Sequence, residues 1–92
     1  MKTTATNNLI FEETIELYPN PASDFLYAYL EDENHGIQSI SISNAIGRLV
    51  YQHEVDSLED HLIIPIQSLN EGIYFISFSD RKNQLTKKFV KR

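Results

Sequence analysis

The sequence predicts an all-β fold: an immunoglobulin-like antiparallel β-sandwich of about seven strands. Three observations predict it. Short runs rich in aromatic and β-branched residues recur, separated by turn signals roughly every 8–12 residues. Apolar and polar residues alternate with period two, most cleanly where Ile40 and Ile42 lie between Ser39, Ser41 and Ser43. No stretch carries the 3.6-residue apolar period of an amphipathic helix. A small closed barrel is compatible with the same spacing. The Trp and paired cysteines of a true immunoglobulin domain are missing.

Residues 1–14 are polar or ambiguous and read as a linker, and residues 15–92 read as one domain. Ile15 to Tyr18 forms the first strand. Tyr18-Pro19-Asn20-Pro21-Ala22 follows, and its two prolines exclude a central strand because each removes a ladder donor. Each proline also keeps its predecessor out of the helical region, so this segment is a stiff corner. Phe25 to Leu30 is the second strand, and Ile37 to Asn44 the third. Asn44-Ala45-Ile46-Gly47 is a hairpin loop with Gly47 at a positive φ. Arg48 to Glu54 and His61 to Ile66 are the fourth and fifth strands, Pro65 marking the fifth as an edge or a bend. Leu69-Asn70-Glu71-Gly72 is a turn in which Gly72 takes a left-handed backbone. In the sixth strand, from Ile73 to Ser79, Tyr74, Ile76 and Phe78 form the core face. Asp80 to Asn83 is a polar turn, and Gln84 to Arg92 is a basic seventh strand.

Composition excludes several classes of function. The 92 residues contain no cysteine, so disulfides, thiolate metal sites and thiol chemistry are absent. No apolar run reaches the ~18 residues of a membrane-spanning helix, so no direct membrane insertion is expected. No signal-peptide core follows Met1, so the chain either lacks an export signal or is the excised end of a longer protein, and a Met1 that merely starts the excised piece fits the latter. The net charge of −5 is unevenly spread. Residues 80–92 carry six basic side chains against Asp80, a local charge of +5, whereas the rest carries two basic and twelve acidic ones, −10. Lysines on an edge strand discourage aggregation, and the same lysines can present a basic strand to a receptor or an anionic surface. The basic residues are confined to one end, not interleaved with aromatics over a face, so no nucleic-acid partner is expected.

The catalytic inventory is poor. His35, His53 and His61 lie in or beside loops, and no serine sits in a glycine-bracketed elbow, so no enzyme and no cofactor are expected. His53 and His61, with Glu54, Asp56, Glu59 and Asp60, match no known metal-loop spacing and read as a solvated acidic loop.

Four motifs in order carry a family signal: Tyr18-Pro19-Asn20-Pro21-Ala22; Gly47 before Arg48-Leu49-Val50; Leu69-x-x-Gly72-Ile73-Tyr74; and Lys87-Lys88-Phe89-Val90-Lys91. From about Ile15 to Arg92 the chain resembles the type A C-terminal sorting domain of the type IX (Por) secretion system of Bacteroidetes. It departs from that pattern at Asn44, where the family often has Asp. The resemblance implies a secretion signal domain at the end of a larger secreted cargo. The cargo passes through the periplasm, crosses the outer membrane through the type IX translocon, and ends at the cell surface or in the medium. A sortase commonly removes the domain, with cleavage expected within Met1 to Thr14. The resemblance implies that Tyr18, Pro19, Asn20, Pro21 and Ala22 mark the domain start. It also assigns recognition to Gly72, Tyr74, Lys87, Lys88, Phe89, Val90 and Lys91.

On physical grounds, a terminal strand can be read by edge pairing. Removal of Lys87 to Arg92 is then expected to block export and leave a folded domain. The alternative function is a carbohydrate- or surface-binding accessory domain of an extracellular enzyme, with Tyr27, Tyr29, Tyr51 and Phe75 as its candidate aromatic platform.

Overall fold

Each of the seven alternating runs becomes a strand: β1 Ile15–Tyr18, β2 Phe25–Leu30, β3 Ser39–Asn44, β4 Leu49–Glu54, β5 His61–Pro65, β6 Gly72–Ser79 and β7 Gln84–Lys91. The computed structural model describes residues 15–31, 36–56 and 59–92. The expected linker with its cleavage position, His35 and the middle of the acidic loop lie outside the described residues. The strands form two antiparallel sheets, ordered β1-β2-β5 and β4-β3-β6-β7. They pack as a sandwich, the immunoglobulin-like architecture that the spacing predicts.

Alternation decides what faces inward. Leu26, Ala28 and Leu30 of β2, Ile40 and Ile42 of β3, Leu62 and Ile64 of β5, and Ile76 and Phe78 of β6 are buried between the sheets. Serines separate the β3 isoleucines and lie half-buried on the opposite face. Pro65 is tolerated because β5 is an edge strand, as predicted.

Side chains and glycines close the turns. The Asn44 side-chain oxygen accepts from the Ile46 and Arg48 amides at 3.1 and 2.9 Å, and Gly47 sits at φ +86°. The β3–β4 register then steps from Ser43 opposite Leu49 to Ile42 opposite Tyr51, leaving Val50 as a bulge residue. Gly72 differs from expectation in kind. It does not close the preceding turn in a left-handed conformation; it is the first residue of β6, with φ +154°. The positive φ is present, and the backbone there is extended.

The third strand begins at Ser39, two residues later than predicted. Ile37 is buried, and Gln38 instead joins neighbouring chain ends: its amide donates to Ser79 O, and its carbonyl accepts from Val55 N. A second correction concerns the tail. Phe89 has no exposed surface and belongs to the central core, so deleting Lys87 to Arg92 removes a core side chain and most of the last strand of a sheet. The truncated domain is not expected to remain folded.

Candidate functional site

The corner at residues 18–22 and the end of β7 are about seventy positions apart in sequence, and the fold joins them. Val90 N donates to the Asn20 side-chain oxygen at 3.0 Å. Ala22 N donates to Val90 O at 2.9 Å, and Arg92 N donates to Ala22 O at 2.8 Å. Ala22 therefore makes a one-residue parallel bridge opposite Lys91. The stiff corner clasps the last turn of the ladder. Ala22 is fully buried there, which explains a small residue where the backbones approach. Both Tyr18–Pro19 and Asn20–Pro21 bonds are cis.

Hydrogen-bond parity shows which edge of β7 remains open. Asp80 N bonds to Asn83 O at 3.0 Å, making these residues the hydrogen-bonded pair beside the turn. The β6–β7 register runs from Ser79 opposite Gln84 to Gly72 opposite Lys91. Antiparallel ladders alternate, so Leu85, Lys87, Phe89 and Lys91 exchange backbone bonds with β6. The amides and carbonyls of Gln84, Thr86, Lys88 and Val90 point away from it. Val90 confirms the phase, because its outward groups are the ones that meet Asn20 and Ala22. Among the described residues, the outward backbone groups of Gln84, Thr86 and Lys88 meet no backbone partner.

The side chains of β7 divide by face. Phe89 and Lys91 turn inward, Lys91 only 9 % exposed with its ammonium donating to Arg92 O at 3.2 Å. Lys87 shares that face and is half-buried, whereas Lys88 is exposed on the outer face and Val90 is half-buried there. Tyr74 is buried, its ring stacked on Phe89 at 5.6 Å between centroids, and its hydroxyl donates to Asn70 O at 2.6 Å. Leu69 packs against the same core. The Leu69-x-x-Gly72-Ile73-Tyr74 motif thus builds the turn that positions β6, which in turn carries β7.

β1 faces β7 across the open side of the sandwich. Leu30 N bonds to Asp60 O and Ile66 N to Asp24 O, so the even-numbered residues of β2 bond toward β5. The odd ones bond toward β1, which points the Ile15 and Leu17 backbone groups away from β2. Between the two edges runs a cleft of about 630 Å³, lined by Ile15 to Tyr18, Asn20 and Thr86 to Lys88.

The sequence-predicted residues thus fall into three sets. Lys88 and the half-buried Lys87 and Val90 lie along the accessible strand; Tyr74, Phe89 and Lys91 are inside; Gly72 and the Tyr18-to-Ala22 corner shape the surroundings. Sequence reasoning missed Thr86, whose importance is its outward amide rather than its side chain. The motif order held no signal for it, because the phase of hydrogen bonding depends on how β6 pairs.

The other candidates do not converge. His53 lies 3.6 Å from the Glu59 carboxylate, whereas His61, in the opposite sheet, lies 3.0 Å from that of Asp60 and stacks on Tyr29. Among the described residues, no three His, Asp or Glu side chains group closely enough to hold a metal ion. The four aromatics considered for a platform do not share a face. Tyr27 and Tyr29 lie on the outer face of the three-stranded sheet, Tyr51 packs against the core, and Phe75 is on the outer face of the other sheet. Tyr27 also spends one ring face on Tyr18, stacked at 5.5 Å.

The chain matches the protein family described as "Secretion system C-terminal sorting domain" over residues 16–92. No curated protein sequence matches it. Among solved structures it is similar to a DUF3244 family protein of Bacteroides vulgatus with an immunoglobulin-like β-sandwich fold. That match has a TM-score of 0.72 and 18 % identity, covering 86 % of this chain and 85 % of the other. It is also similar to part of PorZ, described as an essential bacterial surface component of the type-IX secretion system of Porphyromonas gingivalis. There the TM-score is 0.69 and the identity 23 %, over 87 % of this chain and 12 % of PorZ.

Proposed function

This chain belongs to the family of secretion system C-terminal sorting domains, and we propose that it directs a larger cargo protein across the outer membrane through the type IX translocon. Membership makes it a type IX secretion C-terminal domain and sets its route toward the cell surface or the medium. The finer steps are inferred. The cargo waits in the periplasm with this domain folded at its end. The translocon reads the basic β7 edge. A surface sortase then cuts within Met1 to Thr14, ahead of β1, and releases the cargo or attaches it to the surface.

The observation that carries this reading is the clasp. The corner that opens the domain holds the strand that closes it, so the basic strand is presented in one fixed position only when the whole domain is folded. In this reading Lys87, Lys88 and Val90 supply contacts with the machinery. Gly72, Tyr74, Phe89 and Lys91 build and orient the strand, and Tyr18 to Ala22 hold its end. No catalytic role is proposed for any residue. That PorZ, a surface component of the type-IX system, contains a part of the same fold supports the reading at the level of architecture.

The test is an export assay. The 92-residue chain is fused to the C-terminus of a periplasm-directed fluorescent reporter in a bacterium with the type IX system and in a strain lacking the translocon. Surface or medium fluorescence in the first strain alone is the expected outcome, and the released reporter's mass locates the cut. Reporter held in the periplasm of both strains, with the domain folded, would refute the reading.

A further inference from the structure

Three properties of the β7 edge converge. The outward backbone groups of Gln84, Thr86 and Lys88 meet no backbone partner among the described residues. The clasp of Asn20 and Ala22 ends this open stretch at Val90, so its length is set by the fold. The cleft beside it, lined by Ile15 to Tyr18, Asn20 and Thr86 to Lys88, has room for the side chains of an added strand. An open edge of this kind is a template for another strand.

Charge selects the occupant. The turn and strand from Asp80 to Arg92 carry +5. A second copy pairing edge to edge would bring two segments of the same +5 charge side by side, and like charges repel. An acidic strand has the complementary sign.

We propose that β7 is read by strand addition: an extended, acidic segment of the export machinery pairs with Gln84 to Lys88 and lays its alternate side chains in the cleft toward β1. This deepens the sorting reading and rests on it. The contact is made by backbone groups, so it needs Thr86 and Lys88 as amide donors, with the Lys88 ammonium setting the preference for an acidic partner.

Proline substitution separates this contact from the fold. The Thr86 and Lys88 amides are outside the β6 ladder, so Thr86→Pro and Lys88→Pro cap the edge without removing a ladder bond; proline is tolerated at such edge positions. Thr86→Val is the control, because it loses the 2.9 Å contact of Thr86 Oγ1 with Ser77 Oγ yet keeps the amide.

In the reporter fusion, both proline variants are expected to give cooperative thermal unfolding and at least about tenfold less export, from the lost bond and the ring's collision with an added strand. Thr86→Val should export normally, and Lys88→Glu should export less than Lys88→Gln. Proline variants that export like wild type overturn strand addition. So does loss of export in Lys88→Glu with full export in Thr86→Pro, the pattern of attraction to an anionic surface. Proline variants that fail to fold overturn the assignment of the amides to the open edge. Equal export of Lys88→Glu and Lys88→Gln overturns the acidic partner. Sedimentation of the wild-type domain as a dimer that Thr86→Pro dissociates would make the occupant a second copy. A wild-type fusion that stays in the periplasm refutes the sorting reading itself, a result distinct from all of these.

Discussion

Asn20→Ala tests the clasp directly. The substitution removes the side-chain oxygen that accepts from Val90 N at 3.0 Å and leaves both flanking prolines in place. A neutral hydrogen bond contributes a net ~0.5–1.5 kcal/mol, and the exposed position of this one lets water replace part of it, so the expected loss is about 1 kcal/mol. For a domain of this size that lowers the melting temperature by roughly 4–8 °C. The effect should be local first. Amide exchange at Val90 and Arg92 should accelerate about fivefold, the equivalent of 1 kcal/mol, while Ile76 and Phe78 in the middle of β6 follow only the global change. Asn20→Asp keeps an acceptor oxygen at the same place, so it should restore slow exchange. Unchanged exchange at Val90 and Arg92 in Asn20→Ala would refute the clasp. So would Asn20→Asp behaving like Asn20→Ala, since the clasp needs an acceptor and nothing else of the side chain.

Further outcomes are expected. Phe89→Ala empties a fully buried site and removes the Tyr74 ring contact, so it should cost ~3–5 kcal/mol, read as a shift in the urea midpoint. Gly72→Ala meets no atom within 4 Å of the added Cβ, yet the residue sits at φ +154°; strain alone should cost on the order of 1 kcal/mol or more, and an unchanged melting temperature would contradict that backbone. The Glu16 carboxyl, hydrogen-bonded to Glu31 and repelling its charge, raises the Glu31 pKa above its ordinary 4.5. The folded state therefore holds that proton more tightly than the unfolded chain. This contribution is full below about 4.5 and is lost as the pH rises through the higher folded value. Glu16→Gln should remove that loss, flattening the stability–pH curve in this window, as thermal melts across a pH series will report.

Much of the fold was legible because it is local. Alternation in Ser39 to Asn44 and in Tyr74 to Phe78 reports which face is buried, since side-chain direction in a strand depends only on the pleat. The turn residues were legible for the same reason: Asn44 and Gly47 act within one hairpin. The motifs of the sorting family were legible as an ordered set. Their structural roles were not, because Tyr74 and Phe89 belong to different strands and meet only when β6 pairs with β7.

By itself, the sequence determined the strands, the inward faces of β3 and β6, the Asn44–Gly47 turn and the family, all carried by neighbouring residues or by motif order. Tertiary structure alone decided that Asn20 and Ala22 hold the end of β7, that Phe89 and Lys91 face inward, and that Thr86 and Lys88 direct their amides to an open edge. The physical reason is that each backbone amide in a strand points to one side only. Which side is occupied depends on the strand that pairs there, and no local pattern in the chain records that choice.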